Sequence, residues 1–379
     1  MGGRPSGPPH LLRRLDGADS ACQLRDPGPR YPPDGRFRHL RSPPRRRRRR
    51  RCAAPGSRPL LPGSGVSIVV LILGPNLCLD RVIVVPGFSS GRIHRAERGI
   101  SLASGKGLNV ARVVRALGED ATVIGMVGGD DSGRAIIRGA RGQGISLRAV
   151  RVQATTRICT LIIDPGNAET VINEHGLEAG AGVEAQLFAY LRTGLRRARY
   201  LVLAGSLPAA LPANFYAHSI ELSREGHVPA LLDATGDSLR LGLAAKPDLI
   251  KVNRAELADA VGRPLASVDD VLAAADTLRA QSGGQVIVTM GAEGAVLVTA
   301  EGRWHLSPPG VTRVNTIGAG DSLTAGVVVS LQRGHSLLDA VQTGVAAAAA
   351  DVTTLLPGTV DAMQVDSLRP QVVVQARPR

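Results

Sequence analysis

Lysine, cysteine and long apolar runs are all scarce in this chain of 379 residues. Its four cysteines show no C-x-x-C spacing, which argues against a metal-binding or disulfide role. The apolar run VSIVVLILG (66–74) is far shorter than the roughly 20 residues that a membrane-spanning helix needs. Its β-branched content fits a buried strand instead. These absences predict a reduced, cytoplasmic protein with no membrane partner.

Positive charge and proline are concentrated in residues 1–65. This segment holds 16 arginines, no lysine, 4 acidic residues and 12 of the 25 prolines. Such a composition buries too little apolar surface to offset the entropy lost on ordering, so the segment is predicted to be disordered. The other 314 residues carry 30 basic and 28 acidic side chains. The high isoelectric point therefore describes the extension and not the remainder.

Three explanations of this extension stay open. The unbroken arginine run at 45–51 is typical of an arm that binds nucleic acid or another acidic surface. A transit peptide is a second explanation, although those are rich in serine and amphipathic. The third, which we favour, is a start codon assigned too far upstream in GC-rich DNA. The use of 43 arginines against three lysines fits such a genome.

From residue 66 onward, short β-branched runs alternate with helical ones. In NVARVVRALG (109–118) apolar residues recur at the spacing of one helix face, and Gly118 ends the run. The predicted strands are SIVVLILG (67–74), TVIGMVG (122–128), RYLVLAG (199–205), VPALLDA (228–234), DLIKVN (248–253) and GQVIVTMG (284–291). This alternation predicts an α/β layered fold with a largely parallel sheet and helices on both faces. Ligands bind beyond the carboxyl ends of such strands, where Asp233, Asn253 and Gly291 fall.

Two segments, about 80–104 and 152–174, break this alternation. Both contain short strand-like runs and turns, including the PGN turn of the second. They either pair into a small sheet that covers the main one, as a lid, or form long loops.

The stretch NTIGAGDSLTAG (315–326) places two glycines and an aspartate where a helix begins. It fails the dinucleotide-binding fingerprint, and SGKGLN (104–109) likewise fails the phosphate-loop pattern. Glycines before a helix nevertheless leave backbone N–H groups free to face an anion, and the helix dipole reinforces this. Gly318, Ala319 and Gly320 are therefore a candidate phosphate cradle. Asp321 either caps the helix or accepts a proton from a hydroxyl group.

Seven segments occur in the order that resembles ribokinase-like sugar kinases. They are NLCLD (76–80), SGKGLNVARVVRALG (104–118), GGDDSG (128–133), AGSLP (204–208), KVNRAEL (251–257), VTMGAEG (288–294) and NTIGAGDS (315–322). Within these kinases the chain is most similar to the phosphofructokinase-B family, in its 1-phosphofructokinase and tagatose-6-phosphate kinase group. The resemblance covers residues 66 to 362. It implies a three-layer α/β/α fold, a β-sheet lid that often forms a homodimer contact, and the use of ATP with Mg²⁺.

The resemblance also implies roles on the nucleotide side. Asp321 matches the general base, and Gly318 to Gly320 match the anion hole for the transferred phosphate. Asn253 and Glu256 match the pair that serves Mg²⁺, through water, and the nucleotide phosphates; helix capping explains this pair equally well. Lys251, Thr289 and Gly291 match positions along the nucleotide.

On the sugar side, the matches to positions that contact sugar hydroxyls are Asp80, Gly105, Lys106 and Asn109. Arg95 and Arg157 match arginines that bind the sugar phosphate, which guanidinium groups suit because they bind in a forked manner. Ser206 is a further candidate near that phosphate. Asp80 as a turn residue and the arginines as solvated surface residues are the alternatives.

Four departures from the family pattern remove no reacting group. NLCLD (76–80) has leucine where proline is common, Val252 replaces a usual proline, Asn315 replaces a frequent aspartate, and Ser104 replaces a frequent glycine before GKG. The last leaves the fit of the sugar open.

The sequence therefore predicts an ATP-dependent kinase of a ketohexose monophosphate. Fructose 1-phosphate is the first choice, followed by tagatose 6-phosphate and fructose 6-phosphate. A kinase of an unphosphorylated sugar or nucleoside has the same fold. A nucleic-acid-binding protein acting through the arginine-rich extension is the alternative of another class, which the intact GAGD, N-x-x-E and GKGLN segments disfavour.

Overall fold

The computed structural model describes residues 69–166, 169–178, 180, 182–209 and 211–378. The extension at 1–65, predicted to be disordered, lies outside these residues. No helix among the described ones is long and apolar enough to cross a membrane.

Strands and helices alternate along most of this part of the chain. The strands are Val69–Asn76 (β1), Cys78–Val84 (β2), Arg98–Ser104 (β3), Ala121–Gly128 (β4), Ser146–Val152 (β5), Ile158–Ile163 (β6), Thr170–Asn173 (β7), Ala198–Ala204 (β8), Ala230–Asp233 (β9), Leu249–Asn253 (β10), Gln285–Thr289 (β11), Ala295–Val298 (β12), Arg303–Ser307 (β13) and Val373–Arg377 (β14). The helices are Lys106–Ala116 (α1), Asp131–Gly142 (α2), Val183–Leu195 (α3), Phe215–Glu225 (α4), Gly236–Ala244 (α5), Arg254–Val261 (α6), Val268–Ser282 (α7), Ala319–Gln332 (α8), Leu337–Asp351 (α9) and Ala362–Leu368 (α10).

Ten of the described strands form the main sheet, in the order β14-β13-β12-β11-β10-β9-β8-β1-β4-β5. The run from β11 to β5 is parallel throughout, whereas β12, β13 and β14 extend it with antiparallel pairing. The predicted α/β fold with a mostly parallel sheet is thus confirmed.

Helices cover both faces of this sheet, which explains why its central strands are apolar without alternation. In β1, Val70 and Ile72 contact one core cluster, built with α1, α8 and α9. Leu71 and Leu73 contact the other cluster, built with α3 to α7. Successive side chains of one strand therefore enter opposite cores, as the two-residue period of a strand requires.

Four further strands pair as β3-β2-β6-β7 in what we call the small sheet. All four lie in or at the borders of the two segments that interrupt the α/β alternation. The β2 strand pairs antiparallel with β3 and parallel with β6. Its buried apolar side chains pack against Ile317, Leu355 and Leu356. The small sheet thus contacts the loop that precedes α8.

Candidate active site

A cleft of about 910 Å³ lies where the small sheet, the carboxyl ends of central strands and the start of α8 meet. Most of the residues singled out from the sequence line it. They are Asp80, Gly105, Lys106, Asn109, Arg157, Lys251, Asn253, Glu256, Thr289, Gly291, Gly318, Ala319, Gly320 and Asp321. The carboxyl-end placement is the one expected for ligands of a parallel sheet.

The N-cap of α8 is Gly318 and not Asp321. Gly318 has a φ of 96°, in the left-handed region that side chains disfavour. A Cβ added to it would lie 2.7 Å from the backbone nitrogen of Gly358, so glycine is also required by space. The first N–H groups of α8 have no partners within the helix, which leaves them available to an anion. Ala319 donates one long hydrogen bond, of 3.4 Å, to the Thr316 carbonyl.

Asp321 is a buried carboxylate in the first turn of α8. Its Oδ2 accepts a hydrogen bond from Asn109 Nδ2 at 2.9 Å. Burial raises the pKa of Asp321 to about 6, Lys106 and Lys251 lower it in part, and Asp233 adds to the rise. The cleft thus contains a carboxylate whose pKa lies close to neutral pH, which suits a general base.

Two lysines pair with one fully buried carboxylate, that of Asp233 at the end of β9. Lys106 Nζ lies 2.7 Å from its Oδ1, and Lys251 Nζ lies 2.9 Å from its Oδ2. Burial alone would raise the pKa of Asp233, but the two ammonium groups outweigh it and lower the pKa to about 2. Burial likewise lowers the pKa of Lys106, and the Asp233 and Asp321 carboxylates outweigh it and raise that pKa. Asp233 and Lys106 therefore stay charged at neutral pH.

Lys251 also lies against the start of α8. A Cβ added to Gly320 would be 2.9 Å from Lys251 Nζ. An ammonium group thus adjoins the helix terminus where the sequence predicts phosphate binding.

Ser104 connects the sugar-side residues to the residues around Asp321. Its Oγ lies 2.6 Å from Asp80 Oδ2 and 3.0 Å from Asn109 Oδ1. Since a hydroxyl has one proton, Ser104 donates to one of these oxygens at a time. Arg112 also donates to Asn109 Oδ1, at 3.1 Å. Asn109 is thereby oriented with its amide nitrogen toward Asp321.

Asn253 and Glu256 form a capping box at the start of α6. Asn253 Oδ1 accepts from the Glu256 N–H, and Glu256 Oε2 accepts from the Asn253 N–H, both at 2.8 Å. The capping role that the sequence left open is therefore present. Both side chains still line the cleft, and each keeps acceptor capacity beyond the cap.

Of the three residues expected at the sugar phosphate, only Arg157 lines the cleft, whereas Ser206 and Arg95 do not. Arg157 lines the cleft and donates from Nη2 to the Asn76 carbonyl at 3.1 Å. Ser206 is exposed and does not line the cleft, but its Oγ accepts from Asn76 Nδ2 at 3.0 Å. Arg95 is exposed in the segment between β2 and β3 and is not among the lining residues.

Several residues that shape the cleft were missed as site residues. Asp233 was noted at a strand end but given no role, although an aspartate there is a recognisable signal. Ser104 was considered only as a departure from the family pattern. Arg112, Cys78 and Cys159 carried no signal, because the contacts of Arg112 with the Pro357 carbonyl and of Cys78 with Cys159 join distant parts of the chain.

Fold and site together define a phosphotransferase that acts on a carbohydrate: a parallel α/β sheet, a glycine-led helix start, and a buried carboxylate beside it. A family model described as "pfkB family carbohydrate kinase" matches residues 75–362. The chain belongs to this family.

Curated relatives that the chain resembles include 1-phosphofructokinases. That of Rhodobacter capsulatus is 35% identical over 269 residues, which cover 70% of this chain and 84% of the relative. That of Escherichia coli K12 is 31% identical over 302 residues, 79% of this chain and 96% of the relative. Among solved structures, phosphofructokinase-2 from Escherichia coli in complex with fructose-6-phosphate matches with a TM-score of 0.73 and 25% identity. It covers 80% of this chain and 99% of that one.

Proposed function

We propose that this kinase transfers the γ-phosphoryl group of ATP to a hydroxyl of fructose 1-phosphate. The products are ADP and fructose 1,6-bisphosphate. Tagatose 6-phosphate and fructose 6-phosphate are the next candidates. The observation that carries the proposal is the buried Asp321 carboxylate in the first turn of α8, beside the glycine-led start of that helix and in a cleft of about 910 Å³.

Asp321 is the proposed general base. As the acceptor oxygen attacks the γ-phosphorus, the bond to the ADP oxygen breaks and the hydroxyl proton passes to the Asp321 carboxylate. The hydrogen bond from Asn109 holds that carboxylate in one orientation. The proton then leaves to solvent with the departing product.

The helix start and the two lysines are proposed to stabilise the negative charge that develops on the transferred phosphoryl group. The N–H groups at Gly318 to Gly320, of which that of Ala319 makes only one long hydrogen bond, are fixed before the reaction, so they stabilise the transition state without reorganisation. Lys251 Nζ adjoins the helix start at Gly320, and the charge of Lys106 interacts with that of Asp321, so both lysines bring positive charge to the same place. Asp233 keeps both lysines in position.

Mg²⁺ is the metal that the proposal requires, and the chemistry of Asn253 and Glu256 fits it. Both offer oxygen ligands, which Mg²⁺ prefers, and their partial use in the capping box favours contact through water. When bound, the ion would neutralise charge on the ATP phosphates. Thr289 and Gly291 would contact the nucleotide.

Residues on the other side of the cleft are proposed to bind the sugar and its phosphate. Asp80, Gly105, Lys106 and Asn109 would contact sugar hydroxyls. Arg157, which lines the cleft, would bind the phosphate. We retain Arg95 and Ser206 as phosphate contacts that form only when substrate binds.

We expect Arg157→Ala to raise the KM for fructose 1-phosphate by about 10- to 150-fold, equivalent to roughly 1.5–3 kcal/mol for a lost charge-assisted contact. The KM for ATP should stay nearly constant, because Arg157 lies on the sugar side. Steady-state kinetics with each substrate varied in turn measures both. Arg240→Ala, on the exposed face of α5, is the matched control and should change neither. An equal rise in both KM values would refute the assignment of Arg157 to the sugar phosphate.

The pH dependence provides a second check on Asp321. Since its pKa is raised to about 6, the carboxylate is the charged base above that pH and is protonated below it. We expect kcat/KM to fall about tenfold per pH unit below pH 6. The substrate phosphate titrates in roughly the same range, so Asp321→Asn is the control that isolates this contribution. A slope in the variant as steep as in the wild type would mean that Asp321 is not the titrating group.

We also propose an oligomeric state and a cellular location, both by analogy with the family. A homodimer through the small sheet is supported by Val171 and Ile172 of β7, which are exposed apolar side chains. A cytoplasmic location remains a prediction. A kinase of unphosphorylated sugars is disfavoured by Arg157 in the cleft. No observation on the described residues favours nucleic-acid binding.

A further inference from the structure

Two cysteines and one aspartate meet on the cleft-facing side of the small sheet. Cys78 and Asp80 lie on β2, and Cys159 lies on the neighbouring strand β6. Their two sulfur atoms and one carboxylate oxygen lie within 4.8 Å of one another, and Cys78 Sγ is 3.1 Å from Asp80 Oδ1. All three residues are buried and line the cleft. The two cysteines are 81 positions apart in the sequence, so their spacing does not predict the cluster.

The sheet register argues against a disulfide between them. Cys159 pairs with Asp80, which places Cys78 two residues away from it along the neighbouring strand. With strands about 4.8 Å apart and a rise of about 3.3 Å per residue, such diagonal Cα atoms lie roughly 8 Å apart. A disulfide spans at most about 6.8 Å between Cα atoms. Bridging the sulfurs directly would therefore require the backbone to move.

A bridging metal ion fits this separation. Two thiolates held at about 2.3 Å from a tetrahedral Zn²⁺ lie about 3.8 Å apart, within reach of small side-chain rotations here. Two sulfurs and one carboxylate oxygen are also a ligand set suited to Zn²⁺ and not to Mg²⁺.

We propose that Cys78, Asp80 and Cys159 form a binding site for a thiophilic divalent cation such as Zn²⁺, and that this cation excludes the sugar phosphate. Binding releases the thiol protons to solvent and occupies the carboxylate of Asp80. The exclusion rests on the proposed function, in which Asp80 contacts the sugar. The metal site itself does not.

Co²⁺ is the probe, because thiolate ligands give it a charge-transfer absorption in the near ultraviolet that oxygen ligands do not. The full-length protein is titrated with Co²⁺ without ATP, and Zn²⁺ is then added. We expect the thiolate band to appear on titration and to disappear as Zn²⁺ displaces Co²⁺. Replacing Cys22 and Cys52 together by serine, as the matched control, should leave the band in place.

Cys159→Ser should weaken Co²⁺ binding by more than the roughly 10–100-fold that loss of an outer-shell partner costs. Circular dichroism establishes that the variant is folded, and Cys78→Ser provides a second, independent test. A wild type without the thiolate band would overturn the site. A band that survives both substitutions would do so as well.

Competition between the metal ion and fructose 1-phosphate is measured on the same protein preparation. Fructose 1-phosphate should raise the apparent Kd for Co²⁺ in proportion to its concentration, and Zn²⁺ should raise the KM for fructose 1-phosphate with little change in kcat. A Kd that does not respond, in protein that phosphorylates fructose 1-phosphate, would overturn the exclusion. Absence of phosphoryl transfer without added Zn²⁺ or Co²⁺ would contradict the proposed function instead, because that assay does not involve the cysteines.

Discussion

Asp321→Asn is expected to lower kcat by about 100- to 10,000-fold, the usual contribution of a general base. The change preserves side-chain size and leaves the Gly318 N-cap of α8 untouched. It removes the proton acceptor while the N–H groups and both lysines remain. Binding of ATP and sugar phosphate should therefore be largely kept, and the loss should be confined to kcat. Steady-state kinetics with direct binding measurements on the variant separates the two.

The matched control is Asp339→Asn. Asp339 also lies in the first turn of a helix, α9, where it accepts a hydrogen bond from Ser336 Oγ at 2.6 Å. This position lies outside the cleft lining, so turnover should be unchanged. Turnover of folded Asp321→Asn within about threefold of the wild type would rule out the carboxylate as the base.

Asp233→Asn is expected to cost about 3–5 kcal/mol of unfolding free energy, as breaking a buried ion pair from one side does. The substitution removes the charge that both lysines share. Most of this cost comes from Lys251, whose buried ammonium group loses its partner: its side chain is only 5% exposed, whereas that of Lys106 is 32% exposed. Urea unfolding of the wild type and the variant measures the difference.

Asp237→Asn is the control for Asp233→Asn, because it breaks an exposed ion pair instead of a buried one. Asp237 bridges to Arg240 with both side chains about 70% exposed, so its loss should cost about 0–1 kcal/mol. Because the pKa of Asp233 lies below its ordinary value, the stabilisation is present at neutral pH and is lost as pH falls from about 4 toward 2. Equal costs for the two substitutions would contradict the assignment of Asp233 as the anchor of the lysines.

Local pattern was sufficient for the six central strands of the main sheet, from β11 to β4 in the sheet order, and for the start of α8. The predicted strands were short β-branched runs ending in Gly, Asp or Asn, and helices buried both of their faces as the pattern requires. The antiparallel edge formed by β12, β13 and β14 was not predicted. Strands of four or five residues carry little periodic signal, and β14 follows the segment that resembles known kinases.

Contacts between distant segments could not be predicted from the sequence. The shared Asp233 partner of Lys106 and Lys251, and the meeting of Cys78 with Cys159, depend on strand order and register. The sequence argument about the cysteines considered spacing along the chain only, so it could not anticipate that Cys78, Asp80 and Cys159 come together. Arg95 illustrates the reverse: it matches an arginine that binds the sugar phosphate in the family, yet the residue is exposed and is not among the cleft-lining residues.

The most direct measurement is phosphoryl transfer itself. The purified protein is incubated with ATP, Mg²⁺ and fructose 1-phosphate, and ³¹P NMR follows the conversion to ADP and fructose 1,6-bisphosphate. Our account predicts stoichiometric formation of the bisphosphate, with kcat/KM at least about tenfold higher than for fructose, since each charge-assisted contact to the phosphate contributes roughly 1.5–3 kcal/mol. Fructose consumed as efficiently as its phosphates, or no bisphosphate formed from any hexose monophosphate, would contradict it.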